Sequence, residues 1–236
     1  GSTFKVLVTA AALANGATPD DQLTAAPQIT LPGTNTTLEN YDGTQCGGGA
    51  TSSLREAFAR SCNTAFVQLG MKTGAAKLKE QASALGIGGE NSGIPMPVAD
   101  STVGAMSDDA AVGQSSIGQR DVALTPLDNA VVAATVANGG SRMEPHLVSG
   151  MQGPDLKTLA TTDPVSLGQA MTPETGWVPA PRRSTRGSDR HRAALTRRPY
   201  RHLDGDRFIA EAVPVAVSAC CSRAVRGVRI VFRFTE

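Results

Sequence analysis

A chain of 236 residues with 40% hydrophobic content is long enough for one sizeable globular domain. It has no run of about 18 or more apolar residues and no charged segment before an apolar core at its start, so the sequence predicts neither a membrane span nor a signal peptide. The net charge of +1 combines two unlike parts: residues 1–176 carry nine basic and sixteen acidic side chains, and residues 177–236 carry thirteen arginines, no lysine and five acidic side chains. This change predicts a boundary near Trp177.

The first predicted helix covers residues 1–13 and carries Ser2 and Lys5, three positions apart on one helix face. A serine hydroxyl is a weak nucleophile at neutral pH, and a lysine desolvated in a pocket can lose its proton near pH 7 and act as the adjacent base. Ser2 is therefore the candidate nucleophile and Lys5 its candidate base. The alternative is an N-cap serine followed by a surface lysine. Because the chain begins one residue before Ser2, we expect a fragment.

Further elements follow in chain order. Asn15 and Gly16 end the first helix, and a loop region with edge strands such as residues 28–31 comes next. Residues 51–56 have the pattern of a capped helix start. The sequence then predicts helices over residues 65–70, 75–85 and 127–136 and a strand over residues 143–151. The last of these helices is capped by Thr125 and has Pro126 in its first turn.

The four cysteines and three histidines form no metal-ligand pattern, so the sequence predicts neither a metal site nor a cofactor. Cys46 and Cys62 allow two interpretations. Outside the cytoplasm they would close a 15-residue loop, which stabilises a fold by about 3 kcal/mol in the chain-entropy model. Inside the cytoplasm they would be buried thiols.

Three segments occur in a recognisable order: Gly-Ser-Thr-Phe-Lys at 1–5, Ser-Cys-Asn-Thr-Ala-Phe at 61–66, and a stretch from Gly113 through Thr125-Pro126 to Pro145. Together they resemble the transpeptidase domain of class B penicillin-binding proteins, in a style similar to actinobacterial members, and the resemblance covers residues 1–176. It implies an α+β domain with the penicillin-binding protein/serine β-lactamase-like fold, an antiparallel sheet flanked by helices, with the active site at the sheet edge. We expect that fold to be incomplete in this chain.

The resemblance implies a peptidoglycan D,D-transpeptidase of cell-wall synthesis and cell division. Ser2 would attack the carbonyl between the two terminal D-alanines of a stem peptide, and Lys5 would accept the serine proton. Ser61 would relay a proton to the leaving amine, and Asn63 would hydrogen-bond the substrate backbone or Lys5. β-Lactam antibiotics mimic D-Ala-D-Ala and would acylate the same serine. The family is membrane-anchored, works at the extracytoplasmic face of the bacterial membrane and serves cell-division or elongation complexes. Ser61 and Asn63 could alternatively be a helix C-cap and a turn.

The family also needs a Lys-Thr/Ser-Gly motif on the strand beside the nucleophile, where it supplies part of the oxyanion hole. Lys72-Thr73-Gly74 has these letters but lies between two predicted helices, nine residues after Asn63, so we interpret it as a helix connection. No such triplet follows Trp177, because the last lysine is Lys157. Losing an oxyanion-hole donor costs about 10²- to 10³-fold in rate, so we expect this chain to be impaired as an enzyme.

The composition after residue 175, rich in arginine and alanine and without lysine, is typical of a GC-rich gene translated out of frame. We therefore hypothesise that residues from about 175 onward are a frameshifted tail. The domains would then be a partial transpeptidase domain at residues 1–176 and an Arg-rich tail at 177–236.

Two other functions fit parts of the sequence. A serine β-lactamase or a penicillin-sensing domain would share the fold, but no Glu-x-x-x-Asn loop is evident and the 113–140 stretch favours the transpeptidase. A basic tail that binds nucleic acid is the second alternative, because thirteen arginines could neutralise phosphates. The aromatic residues of the tail are not interleaved as a stacking platform, so no nucleic-acid partner is expected.

Overall fold

A computed structural model describes residues 1–89 and 94–173 of this chain. Within these ranges six α-helices are formed, preceded by a 3₁₀ turn at Ser2–Phe4: α1 (Lys5–Ala14), α2 (Leu54–Ala59), α3 (Asn63–Thr73), α4 (Ala75–Ala84), α5 (Asp109–Ser116) and α6 (Pro126–Ala137). Eight short strands accompany them: β1 (Gln22–Thr24), β2 (Gln28–Thr30), β3 (Thr37–Glu39), β4 (Thr51–Ser53), β5 (Ser141–Met143), β6 (Gly150–Gln152), β7 (Thr158–Thr161) and β8 (Ser166–Gln169).

The described strands pair antiparallel in four two-stranded sheets, β1 with β4, β2 with β3, β5 with β8, and β6 with β7. The mixture of helices and antiparallel strands agrees with the predicted α+β class. None of the described helices is long and apolar enough to cross a membrane.

Helix α1 is the centre of the core. All of its residues from Lys5 to Ala12 are buried. A helix that is apolar on every face can be buried in this way when other elements surround it. It packs against α3 and α4, and α3 packs in turn against α5. The N-terminal turn with Ser2 therefore leads directly into the most buried helix of the described fold.

Helix α5 was not predicted, and its packing explains why. It contains Gly113, Ser115 and Ser116, which have weak helix propensity and give no apolar stripe. Gly70 of α3 faces Ser116, and a Cβ added at Gly70 would overlap the Ser116 side chain, so the two helices lie close together at this point. Tertiary packing therefore decides this helix rather than local propensity.

Several sequence predictions agree with the described elements. Strand β2 falls within residues 28–31, and α6 begins as expected, with the Thr125 side chain accepting a hydrogen bond from the Asp128 amide and Pro126 in the first turn. The strand predicted over 143–151 is wrong: β5 ends at Met143 and β6 begins at Gly150. Pro145 explains the break, because it cannot donate a ladder hydrogen bond. The Arg-rich segment 177–236 lies outside the described residues.

Candidate active site

Ser2 and Lys5 lie one helical turn apart at the start of the core helix. The 3₁₀ turn at Ser2–Phe4 continues into α1 without a break, because Phe4 keeps helical backbone angles (φ −64°, ψ −21°). Ser2 is exposed, whereas Lys5 is only 2% exposed. The turn thus presents a hydroxyl to solvent and sends an amine inward beneath it.

The Lys5 amine contacts Ser61 and Asn63, the two further candidate site residues, and the contact with Asn63 is one of the two expected for that residue. Lys5 Nζ donates to the Ser61 carbonyl oxygen at 2.6 Å and to Asn63 Oδ1 at 2.8 Å, and it lies 3.1 Å from Ser61 Oγ. Residues 56 and 58 positions away in sequence therefore meet at one amine. Ser2 Oγ is not among the partners of Nζ in the described structure.

Burial lowers the pKa of Lys5 from 10.5 to about 7, because the charged form loses its hydration inside the core. The described partners of Nζ are neutral oxygens, so no carboxylate offsets this loss. A lysine with this pKa is partly unprotonated at neutral pH and can accept a proton from a neighbouring hydroxyl.

The backbone of Ser61 adopts the left-handed conformation, with φ +57°. Ser61 lies in the turn that ends α2. In this turn the Ser61 amide donates to the Phe58 carbonyl, and the Cys62 amide donates to the Ala57 carbonyl. This paired pattern is the Schellman motif, whose left-handed position is usually glycine. Ser61 thus does sit at a helix C-terminus, and the same turn carries its side chain to Lys5.

Asn63 is the first residue of α3 and bridges two segments through its side-chain amide. Its Oδ1 accepts from Lys5, and its Nδ2 donates to the Glu39 carbonyl at 2.8 Å. The oxygen of the amide is therefore directed at the buried amine, since the nitrogen is engaged by the end of β3.

A disulfide joins Cys46 to Cys62, the residue between Ser61 and Asn63. The two Cα atoms are 5.9 Å apart, within the usual range for this bond. Of the two interpretations left open by the sequence, the structure has the bonded one. The connection ties the turn between α2 and α3 to the loop that follows β3.

Lys72 and Thr73 form the last turn of α3, and Gly74 follows with φ +86°. Lys72 is exposed and lies 3.9 Å from Asp21. Asn63 lies at the opposite end of this helix, about 14 Å away at 1.5 Å per residue. The triplet is therefore a helix terminus remote from Lys5, as its sequence context indicated.

Sequence reasoning missed three contributors to the site. The Glu39 carbonyl and the Asn40 side chain hold the start of α3, and Gly118 lies against the backbone of Gly1. The first two act through long-range hydrogen bonds that no local pattern reveals. The contact of Gly118 with Gly1 joins residues 117 positions apart, so no local pattern reveals it either.

The described part of the chain contains no group of three or more His, Cys, Asp or Glu side chains placed to hold a metal ion. The groups available at the site are a desolvated amine in contact with a hydroxyl and a side-chain amide, and an exposed hydroxyl on Ser2 one helical turn earlier in the chain.

The family described as the penicillin binding protein transpeptidase domain matches residues 1–177. Peptidoglycan D,D-transpeptidase PbpA of Mycolicibacterium smegmatis is 58% identical over 174 residues, which cover 74% of this chain and 35% of that protein. PbpA of Mycobacterium tuberculosis is 57% identical over the same length. This chain therefore spans about a third of the length of these relatives.

Solved structures agree with the sequence relatives. The ceftriaxone acyl-enzyme complex of penicillin-binding protein A from M. tuberculosis has a TM-score of 0.71 and 56% identity over 74% of this chain and 39% of that chain. The D,D-transpeptidase domain of a peptidoglycan glycosyltransferase from Eggerthella lenta has a TM-score of 0.63 and 26% identity over 74% of this chain and 45% of that chain. The fold prediction is confirmed, and the chain belongs to the penicillin-binding protein transpeptidase domain family.

Proposed function

We propose that this chain carries the serine acylation site of a peptidoglycan D,D-transpeptidase, with Ser2 as the nucleophile and Lys5 as its base. The observation that carries the proposal is the Lys5 amine, which is buried, has a pKa of about 7 and contacts both Ser61 and Asn63 one helical turn from Ser2. The relatives named PbpA and the acyl-enzyme complexes of penicillin-binding protein A support it.

The reaction follows from these positions. Ser2 Oγ attacks the carbonyl carbon of the penultimate D-alanine of a stem peptide while its proton passes to unprotonated Lys5. The proton then moves through Ser61 Oγ to the leaving D-alanine nitrogen, and the C–N bond breaks to give an ester on Ser2. An amine from a stem peptide on a neighbouring peptidoglycan strand attacks this ester and forms the cross-link, and Ser2 is released with its proton. Asn63 hydrogen-bonds Lys5 and the substrate backbone.

A β-lactam presents an amide carbonyl that reacts in the same first step. Opening of the ring keeps the leaving nitrogen attached, so the ester on Ser2 is long-lived rather than turned over. Solved relatives exist as ceftriaxone and penicillin G acyl-enzyme complexes, which supports this part of the proposal.

The Cys46–Cys62 disulfide supports action outside the cytoplasm, because disulfides persist in oxidising compartments. We therefore place the site at the extracytoplasmic face of the cell membrane, where stem peptides are cross-linked and where division or elongation complexes would be its partners. The match over residues 1–177 supports a transpeptidase unit that ends near Trp177.

Incubation with a fluorescent penicillin followed by peptide mapping tests the proposal. We expect the label on Ser2, lost in Ser2→Ala and retained in Thr3→Ala, which removes only the neighbouring hydroxyl. Absence of label on the native chain, or a label on another residue, would contradict the assignment.

The lifetime of the adduct separates the two activities that the fold can host. A long-lived ester indicates a transpeptidase, whereas rapid release of hydrolysed β-lactam indicates a β-lactamase. We expect the former, and fast multiple turnover of a chromogenic β-lactam would overturn the proposal.

A further inference from the structure

Helix α3 begins at the active site without a cap of its own. Its N-cap residue, Cys62, makes no side-chain hydrogen bond to the first turn, and its sulfur is held in the disulfide. The first backbone amides of a helix have no intrahelical acceptor and need one from elsewhere. Asn63 is the first residue of this turn, so its placement depends on how these amides are satisfied.

The side chain of Asn40 supplies the missing cap from another segment. Asn40 Oδ1 accepts from the Thr64 amide at 3.1 Å and lies 3.3 Å from Thr64 Oγ1. Its Nδ2 donates to the carbonyls of Ala26 at 3.1 Å and Thr44 at 3.0 Å. Asn40 is 6% exposed, and both ends of its amide are engaged. It therefore links the loops around β3 to the helix start.

The residue before Asn40 orients the amide of Asn63 directly. The Glu39 carbonyl accepts from Asn63 Nδ2 at 2.8 Å, which leaves Asn63 Oδ1 to accept from Lys5 Nζ at 2.8 Å. Neighbouring residues at the end of β3 thus control both the backbone after Asn63 and the rotation of its side chain. Asn40 itself makes none of the described hydrogen bonds to Lys5.

We propose that Asn40 is a positioning residue for acyl transfer, which caps α3 from outside the helix and thereby holds Asn63 against Lys5. The inference rests on the proposed function and adds a residue that acts through Asn63 rather than on the substrate. Without the Asn40 cap, the first turn of α3 frays and the Lys5–Asn63 contact opens.

A purely structural role makes a different prediction. If Asn40 only stabilises the fold, the rate effect of Asn40→Ala should be independent of Asn63, and the two substitutions should multiply in their effect on the rate. If Asn40 works through Asn63, Asn40→Ala should cause no further loss of acylation rate in a chain that already carries Asn63→Ala.

The experiment is a double-mutant cycle of Asn40→Ala and Asn63→Ala, read as the second-order rate constant for acylation by a fluorescent penicillin. We expect Asn40→Ala to lower the rate on the order of tenfold, as misplacement of a catalytic group does. The double variant should then react within about twofold of Asn63→Ala alone. Rates are normalised to the fraction of chain that is finally labelled.

Gln81→Ala is the matched control. Gln81 is also a buried amide, 7% exposed, and its Nε2 donates to the Ala170 carbonyl at 2.8 Å, between α4 and the end of β8. We expect it to lower the melting temperature without changing the normalised rate and without coupling to Asn63→Ala. If the rate effects of Asn40→Ala and Asn63→Ala multiply in the double variant, as those of independent sites do, the proposal is overturned.

A readout that needs no activity separates this inference from the proposed function. The side-chain amide proton resonances of Asn63, assigned by their loss in Asn63→Ala, should move towards the positions of a free amide in Asn40→Ala and stay in place in Gln81→Ala. If the native chain is not acylated, the proposed function fails while these resonances still test the positioning. Unchanged Asn63 resonances in a folded Asn40→Ala chain would overturn the inference.

Discussion

Lys5 is unusual among buried lysines because its described hydrogen bonds all go to neutral oxygens. A buried ammonium is ordinarily paired with a carboxylate. Here the Phe66 ring, with its centroid 5.4 Å from Nζ, supplies a weaker attraction. Desolvation therefore dominates and brings the pKa to about 7, where the amine can serve as a base.

We expect the rate of Ser2 acylation to rise with pH through about 7, because only the unprotonated Lys5 amine can accept the serine proton. Lys5→Met should lower the rate by about 10²-fold or more. The measurement is the acylation rate constant for a fluorescent penicillin from about pH 5.5 to about pH 8.5. Lys77→Met, at an exposed position of α4, is the control and should keep the native profile. A native rate that is flat over this range would contradict the assignment.

Ser61 combines a left-handed backbone with a side chain that contacts Lys5. A non-glycine residue at φ +57° costs about 1 kcal/mol relative to glycine, and the Schellman turn after α2 would accept glycine readily. The presence of serine instead indicates that its hydroxyl, 3.1 Å from Lys5 Nζ, has a use that outweighs this strain.

Ser61→Gly should therefore raise the free energy of unfolding by about 1 kcal/mol while it slows acylation. Urea unfolding and the acylation rate constant measure the two effects on the same sample. Ser61→Ala is the control, because it loses the hydroxyl without relieving the backbone, so it should be slow but not more stable. A Ser61→Gly variant of native reactivity would remove Ser61 from the mechanism.

At the level of elements, the site forms where the ends of short helices meet. The turn before α1 carries Ser2, the end of α2 carries Ser61, and the start of α3 carries Asn63. The residue after the turn that ends α5 is Gly118, which is buried with φ +70°, and a Cβ there would overlap the Gly1 carbonyl. Gly118, which follows α5, thus packs against the backbone next to Ser2, the proposed nucleophile.

Gly118→Ala should displace Gly1 and Ser2 and lower the acylation rate on the order of tenfold or more. Gly33→Ala is a matched control, since Gly33 has nearly the same angle, φ +69°, but no atom within 4 Å of an added Cβ. Both variants strain the backbone, and only the first meets a neighbour. Equal rates for the two variants in the penicillin-labelling assay would argue against a role of the Gly118–Gly1 contact in acylation.

Local signals located some elements well and others poorly. Thr125 and Pro126 mark the start of α6, because a cap hydrogen bond and a fixed φ act within one turn. The apolar pattern predicts a start of α3 at residue 65, two residues late, because the cap of this helix comes from Asn40 and not from the preceding residues. The sequence pattern does not predict helix α5, because packing against α3, rather than propensity, stabilises it.

At the scale of the whole molecule, the family match ends at residue 177, where the charge pattern changes. The last lysine is Lys157, so no Lys-Thr/Ser-Gly triplet exists beyond the boundary. In the described structure, Lys72 lies at the end of α3 that is remote from the site, so Lys72-Thr73-Gly74 cannot take the place of the missing triplet. These facts support the hypothesis of a frameshifted tail.

We expect translation of the coding DNA for the last 60 or so codons in the other two frames to restore a Lys-Thr-Gly or Lys-Ser-Gly strand. A chain made with the restored frame should be acylated about 10²- to 10³-fold faster than the present one, because it regains part of the oxyanion hole. If neither frame encodes such a strand, the hypothesis of a frameshift is wrong.

The sequence by itself determined the spacing of Ser2 and Lys5, the Ser61-x-Asn63 pattern and the family, because each depends on residues near one another in the chain or on their order. Only the tertiary structure decided why the pKa of Lys5 is low enough for the proposed role as a base. Its lowered pKa comes from burial among helices far apart in sequence, and its contact with Asn63 depends on a carbonyl and an amide from the end of β3 and the residue after it. Desolvation and long-range hydrogen bonds exist only once the chain has folded, so no local pattern encodes them.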